Sequence, residues 1–371
     1  MAKGIRGPEG RYGWAFVTPA IIIIGVFLVL PIFLALYVSF SNWNGLGSPL
    51  GNSDIIGGEN YARVLTDDGL AQRDFGTSIR NNFYYVLLVV PLQTALALFL
   101  AVQVNARVLR GRGFFRTAFY FPSVTSSIAI TTIFIFLFTA SGTVNSILEW
   151  FGVNGPNWFA DPTGVLHTIL GAVGVGKDAL SASGPLGLTW WDWLSGPSVA
   201  MCVLIVLAIF TTSGTFMLLF IAALQNISGE IDEAASVDGA GSVRKFFSVT
   251  LPMLKPTLFT VLTLGLIGTW QVFDQAYLLG DGRPAKTTLF PAYLSYVTSF
   301  DGLNWGQGAA IAFILFGIIV ALTLVQRWVL RDRDLGRSGI RRAEKAQAQI
   351  HRDAKDAPAA TVSAGIERSH R

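Results

Sequence analysis

Apolar residues in this chain come in runs far longer than a soluble helix needs. A helix rises about 1.5 Å per residue, so roughly 20 apolar residues cross a hydrocarbon core about 30 Å thick. Six runs reach that length, at 14–40, 83–104, 117–140, 199–224, 257–279 and 308–330. Lipid offers backbone groups no hydrogen-bond partner, so each run is predicted as a helix. The expected fold is an all-α polytopic membrane protein with six transmembrane helices. Lys3, Arg6 and Arg11 precede the first run, as in a signal peptide. That run is too long for a signal core and no small-residue cleavage site follows it, so it is read as a retained helix. Pro31 within it predicts a kink that neighbouring helices tolerate.

Composition agrees with lipid as the solvent. The 371 residues are 52% hydrophobic and 13% charged, against about 25% charged in an average soluble domain. An isoelectric point near 9.2 does not make a nucleic-acid binder, because the basic residues lie at segment ends and form no single patch. Cys202 is the one cysteine, so no internal disulfide forms. His167, His351 and His370 are far apart, so no metal site is expected.

Positive charge orients the spans. With the N-terminus in the cytoplasm, the cytoplasmic segments hold 21 of the 27 basic residues. The outside keeps Arg63, Arg73, Arg80, Lys177, Arg283 and Lys286. Both termini are then cytoplasmic, as an even number of spans requires. Three parts follow: a cytoplasmic segment 1–13, a six-span membrane domain 14–330, and a charged, Ala-rich tail 331–371 whose composition predicts disorder. Two outside segments are long. Residues 41–81 are expected to be polar and partly ordered. Residues 141–198 carry Trp150, Trp158, Trp190, Trp191 and Trp193, with a short amphipathic helix predicted at 146–151. An aromatic interface belt and a docking surface for a partner both stay open for this loop.

The loop between the fourth and fifth runs, 225–256, has its own pattern. It reads Glu233, Ala234, Ala235, then Asp238 and Gly239, then Phe246 and Phe247, then Leu251, Pro252 and, four residues on, Pro256. The pattern predicts a short helix, a glycine break, a second short helix and a stop at the prolines. Asp232 and Glu233 suit a helix N-terminus, where the macrodipole favours negative charge. Small alanines let another surface come close, and Gly239 permits a turn that a side chain hinders. Such a bent element, projecting into the cytoplasm, can transmit force.

These residues resemble the EAA motif of permease subunits of ABC importers, E-A-A-x-x-x-G followed by L-P. The resemblance implies that the loop is a coupling helix seated on an ATPase subunit, with Glu233, Ala234, Ala235, Asp238, Gly239, Leu251 and Pro252 as its residues. It extends over about 14–330 and is nearest the carbohydrate branch, the maltose and glycerol-phosphate type. Arg112 to Thr117 before Phe121-Pro122, Asn145 with Pro156 to Pro162, Ala223 to Ile227, and Trp270 to Pro284 carry it. It departs at Ser228, where proline is usual, at about 167–198, which looks inserted, and at the charged turn 280–284. A type I importer permease fold is implied, in the bacterial cytoplasmic membrane. The implied partners are a second permease subunit, an ATPase dimer that binds ATP and Mg²⁺, and an extracytoplasmic sugar-binding protein. This chain itself is expected to bind no cofactor and to catalyse no reaction.

Asp274 is the one acidic residue inside a predicted span, and intramembrane charge points to function. If the fifth span is one continuous helix, Trp270, Asp274 and Tyr277 share a face with Phe273 beside them. Rings that stack on a sugar and a carboxylate that accepts from its hydroxyls suit a sugar path. The same residues also suit an interface anchor and a helix-pairing carboxylate. Thr211, Thr212, Ser213 and Thr215 line the same path or bond their own helix. Residues 171–178 nearly match a phosphate-binding loop, but Asp178 replaces the Mg²⁺-reaching hydroxyl and the segment lies outside. A secondary transporter needs ion sites and repeated halves, which the spans lack. A membrane enzyme needs clustered catalytic groups, also lacking. A polyol or glycerol phosphodiester remains the alternative cargo.

Overall fold

The computed structural model describes residues 9–106 and 110–329. The start of the N-terminal segment, Arg107 and the tail from Arg331 lie outside the described residues. Helices run in the order α1 (Glu9–Ile24), α2 (Leu30–Ser39), α3 (Glu59–Leu65), α4 (Leu70–Asn105), α5 (Arg112–Val124), α6 (Ser127–Leu137), α7 (Thr143–Trp150), α8 (Val165–Ala172), α9 (Trp190–Trp193) and α10 (Val199–Gln225). They continue as α11 (Gly229–Val237), α12 (Ser242–Lys245), α13 (Leu251–Met253), α14 (Lys255–Trp270), α15 (Asp274–Leu279), α16 (Pro291–Phe300) and α17 (Trp305–Val329). No strand forms among the described residues; three isolated bridges tie loops together. Five helices among the described residues are long and apolar enough to cross a membrane, and there are six if the bent pair α5 and α6 is one span. Inner and outer below mean the sides that positive charge assigns to the cytoplasm and the exterior.

Two spans depart from straight helices. The third bends by 95° between α5 and α6. Thr125 is extended at the break, and Ser126 caps α6 without a side-chain bond. The fifth is interrupted at residues 271–273, where Phe273 leaves the helical region (φ −136°, ψ −58°). The shared helix face predicted for Trp270, Asp274 and Tyr277 is therefore not formed. In the first span a wide turn, Gly25–Val29, precedes Pro31. There the Leu30 N–H reaches back five residues to Gly25 O. The chain absorbs the missing proline N–H in that turn rather than breaking.

The helix of the second span begins at residue 70, ahead of the apolar run at 83, because α4 continues outward as a polar helix. Its side chains are used rather than solvated. Asn81 donates to the carbonyls of Lys286 (2.8 Å) and Leu289 (3.0 Å). Lys286 binds both oxygens of Asp74, at 2.7 and 2.8 Å. Arg80, placed by sequence in an outside loop, is buried and donates to Asn81 Oδ1 (2.8 Å) and to the Asp192 carbonyl (3.2 Å). In the outer loop, Asn145 donates to the carbonyls of Ala140 (3.0 Å) and Pro156 (3.2 Å) and accepts from Trp158 Nε1 (2.7 Å). The amphipathic helix predicted at 146–151 forms as α7, with Trp150 and Phe151 exposed.

The core is layered along the spans. An outer cluster includes Val89 of α4 and Ala208 of α10. An inner cluster includes Ala97 and Ala101 of α4, Phe216 and Phe220 of α10, and Val261 of α14. On α4 the positions between the clusters fall to Gln93, and on α10 to Thr212, each four residues from its apolar neighbours and so on the same face. A polar layer thus separates two apolar ones.

Candidate functional site

A cavity of about 260 Å³ opens at that polar layer. Gln93, Ser127, Thr211, Thr212, Thr269, Gln271, Asp274 and Gln275 supply its polar lining, with Tyr85, Phe216 and Phe273 among the rings. A second cavity, about 300 Å³, adjoins it along the bent span and shares Ser127, Thr211, Thr212, Phe216 and Gln275. Both are near the lower end of the roughly 300–1,000 Å³ of small-molecule sites, and both combine apolar walls with a few directed polar groups. Depth follows from helix rise. Gln93 lies about 18 Å from the inner end of α4, and Trp270, where α14 ends beside the cavity, about 22 Å from the inner end of α14, at about 1.5 Å per residue.

The breaks in the third and fifth spans create this site. A continuous helix bonds its own backbone and offers a cavity only side chains. The break at Thr125 and Ser126 brings the start of α6 to the wall, and the break at 271–273 turns Gln271, Asp274 and Gln275 toward the same space. Gln93 is fully buried. Its Oε1 lies 2.5 Å from the Thr212 hydroxyl, which is also 2.6 Å from the Ala208 carbonyl. A Cβ on Gly265 would come within 2.5 Å of Gln93 Nε2, so glycine there lets α14 approach α4. Gln93, Thr269, Gln271, Gln275 and Ser127 did not stand out in the sequence. The available signal was an amide inside an apolar run, since a buried polar group needs a reason.

The residues expected on a sugar path separate. Phe273 and half-buried Asp274 line the cavity. Trp270 does not; it packs with Leu315 and Ile319 and is 4% exposed. Tyr277 lies beyond the lining, stacked on Phe273 at 5.6 Å. Thr211 and Thr212 line the cavity and also bond α10 backbone. Thr215 lines the second cavity, while Ser213 is buried outside both.

At the inner side, the loop between spans four and five forms the predicted bent element. Helix α11 ends at Val237, with Asp238 as its C-cap. Gly239 follows at φ +74°. Gly239 N–H bonds Ser236 O (3.1 Å) and Ala240 N–H bonds Ala235 O (3.0 Å). This is a Schellman ending, in which glycine takes the left-handed position at least cost. Glu233, Ala234 and Asp238 are exposed and Ala235 is half-buried. Val237 is 87% and Phe247 60% exposed, so the element presents apolar groups to its surroundings. Two expectations change. Helix α11 begins at Gly229, so Glu230 rather than Glu233 occupies its first turn. Pro256 opens α14, where a missing N–H costs nothing, and Pro252 lies near the end of a helical run that continues from Ser242 to Met253. A wide turn, Phe246–Thr250, precedes Leu251 and Pro252, as in the first span. Leu254, two residues after Pro252, is 1% exposed and anchors the loop in the inner cluster.

The near match to a phosphate loop has the same local explanation as Gly239. Gly174 (φ +86°) ends α8, with Gly174 N–H on Gly171 O and Val175 N–H on Leu170 O. On the outer side, burial alone would push the Asp192 carboxyl up. The Thr189 N–H and hydroxyl, with the charges of Arg80 and Lys177, outweigh it and hold that carboxyl below its usual range.

The fold matches a crystal structure of a bacterial ABC transporter involved in import of the acidic polysaccharide alginate, with TM-score 0.66 and 19% identity, over 88% of this chain and 96% of that one. Residues 93–334 match the model of the binding-protein-dependent transport system inner membrane component family, and the chain belongs to that family. It is 31% identical over 326 residues to the probable ABC transporter permease protein YesP of Bacillus subtilis, covering 87% of this chain and 91% of that protein. It is also 31% identical over 341 residues to the lactose transport system permease protein LacF of Rhizobium radiobacter, covering 90% and 100%. The chain is a multi-pass ABC transporter permease.

Proposed function

We propose that this chain forms half of the translocation path for a sugar in an ATP-driven importer of the bacterial cytoplasmic membrane, and couples to a separate ATPase through residues 225–256. The observation that carries this reading is the exposed, glycine-terminated helix α11, locked to the spans by Leu254. A rigid element tied to packed helices passes on a displacement that a floppy loop would absorb. The sugar cargo is supported by the lactose permease relative and by a cavity that mixes rings, amides, hydroxyls and one carboxylate. Neither cavity is lined by Lys or Arg, which disfavours a phosphodiester cargo.

In this mechanism a binding protein delivers sugar to the outer side, and a second permease subunit completes the path. ATP with Mg²⁺ closes the ATPase dimer, and α11 moves with it. The inner apolar layer closes as the outer one opens, then hydrolysis reverses both, so two packings of the spans alternate. The chain performs no chemistry. The test is uptake by the reconstituted complex with wild type and Glu233→Lys, whose exposed side chain makes misfolding an unsuitable excuse. Loss of ATP-driven uptake with retained membrane assembly is expected. Uptake that persists without ATP would overturn the importer assignment.

A further inference from the structure

Aromatic rings continue outward from the cavity as one series. Phe273 and Tyr277 stack at 5.6 Å, and both lie against Tyr296, at 5.4 and 5.6 Å. Tyr296 stacks on Phe300 at 4.6 Å, Phe300 meets Trp305 at 4.6 Å, and Trp305 meets Trp43 at 5.4 Å. Trp43 follows the outer end of α2, Trp305 opens α17, and Phe273 lines the cavity. The series therefore links the outer ends of α2 and α17 to the wall of the cavity.

The faces are open. Phe300 is 51% and Tyr277 48% exposed, and Tyr296, Trp43 and Trp305 are half-buried. The polar groups beside them are acceptors and hydroxyls: Asp274 at the inner end, the two tyrosine hydroxyls, and Asp301, whose charge reaches Tyr296. Residues 287–326 contain no Lys or Arg, so the stripe lacks the cations that anchor side chains to lipid phosphate. Rings for the apolar faces of a sugar, with acceptors for its hydroxyls at the cavity end and midway along, form a surface that leads to the cavity.

We propose that Trp43, Trp305, Phe300, Tyr296 and Tyr277 form a track on which sugar rings pass from the outer face to the cavity at Phe273 and Asp274. The track rests on the sugar reading above. Its rings add contact area with each further sugar residue, so it favours longer cargo.

The test uses the complete complex in proteoliposomes, with lactose, maltotriose and arabinotriose beside their monosaccharides as probes. Phe300→Ala is compared with Phe300→Trp, which keeps a ring. Phe300 is half exposed, so truncation opens no core cavity. The expected result is a fall of about tenfold in kcat/KM for the longest transported probe with Phe300→Ala, a smaller fall for its monosaccharide, and recovery with Phe300→Trp. Thermal midpoint and co-purification of the second permease report folding and assembly. The track is overturned if Phe300→Ala transports like wild type. It is also overturned if the loss is equal for every probe and accompanies loss of the second permease, which makes the stripe a subunit contact. A loss that follows lipid composition makes it a bilayer contact and overturns it too. If wild type carries none of the probes, the sugar reading falls and the track falls with it; transport that is indifferent to Phe300 removes the track alone.

Discussion

Replacing Gly239 separates backbone geometry from side-chain contact. At φ +74° an L-residue other than glycine pays roughly 1–2 kcal/mol. A Cβ at Gly239 would meet nothing within 4 Å, so Gly239→Ala carries no steric penalty within the chain. Its cost is the left-handed backbone alone. One or two kcal/mol lowers the population of the bent conformer about 5–30-fold relative to competing loop geometries. Asparagine enters this region more readily than other residues, and a β-branched residue least. The expected order is wild type, Gly239→Asn, Gly239→Ala, Gly239→Val, in sugar imported per ATP hydrolysed by proteoliposomes. Global stability should move little, because the loop is exposed and the spans are packed without it. The reasoning is refuted if Gly239→Val couples as well as wild type at equal assembly, or if Gly239→Asn is worse than Gly239→Val.

Two further outcomes follow from particular contacts. Gln93→Leu removes the amide from the polar layer but leaves the Thr212 hydroxyl its Ala208 carbonyl. Stability should change by no more than about 1 kcal/mol, the net worth of a typical hydrogen bond, while uptake falls by at least about tenfold; equal uptake with an unchanged thermal midpoint would remove Gln93 from the path. The lowered Asp192 carboxyl contributes stability above the unfolded carboxylate range near pH 4 and loses it as pH falls through the lower folded value. The thermal midpoint of wild type should therefore drop more steeply than that of Asp192→Asn below about pH 4, and parallel slopes would show that the outer loop does not depend on this charge.

Hydropathy located the fourth span to within a residue of its inner end, since Val199–Gln225 carries no charged residue. It did not show that the helix carrying the second span begins at residue 70, because residues 70–82 are polar. Asn81, Asn82 and Arg80 are buried by other parts of the chain, and no window average reports that kind of burial. The breaks were harder still. Residues 125–127 read Thr-Ser-Ser inside an apolar run, and lipid-spanning helices carry such residues without breaking. Continuity through 271–273 would put Trp270 and Asp274 on one face, whereas the break leaves Trp270 packed with Leu315 and Ile319 and Asp274 on the cavity. The coupling loop was legible because its geometry is local: one left-handed position demands Gly239. Leu254 was not, because a leucine among leucines shows no sign of being an anchor.

The bend in the third span has an electrical consequence. At the start of α6, the N–H groups of Ser127, Ile128 and Ala129 have no acceptor within the helix, and Ser127 lines the polar cavities that lie between the two apolar layers. A polar notch there thins the insulating hydrocarbon to those two layers. The field across the membrane, worth about 2.3 kcal/mol per elementary charge per 100 mV, then drops over whichever layer is shut. A permease built this way must keep one layer sealed against protons and ions through the whole cycle. The close packing of Leu254, Phe220 and Ala101 on one side, and of Phe290, Tyr85 and Val89 on the other, serves as insulation as much as scaffold.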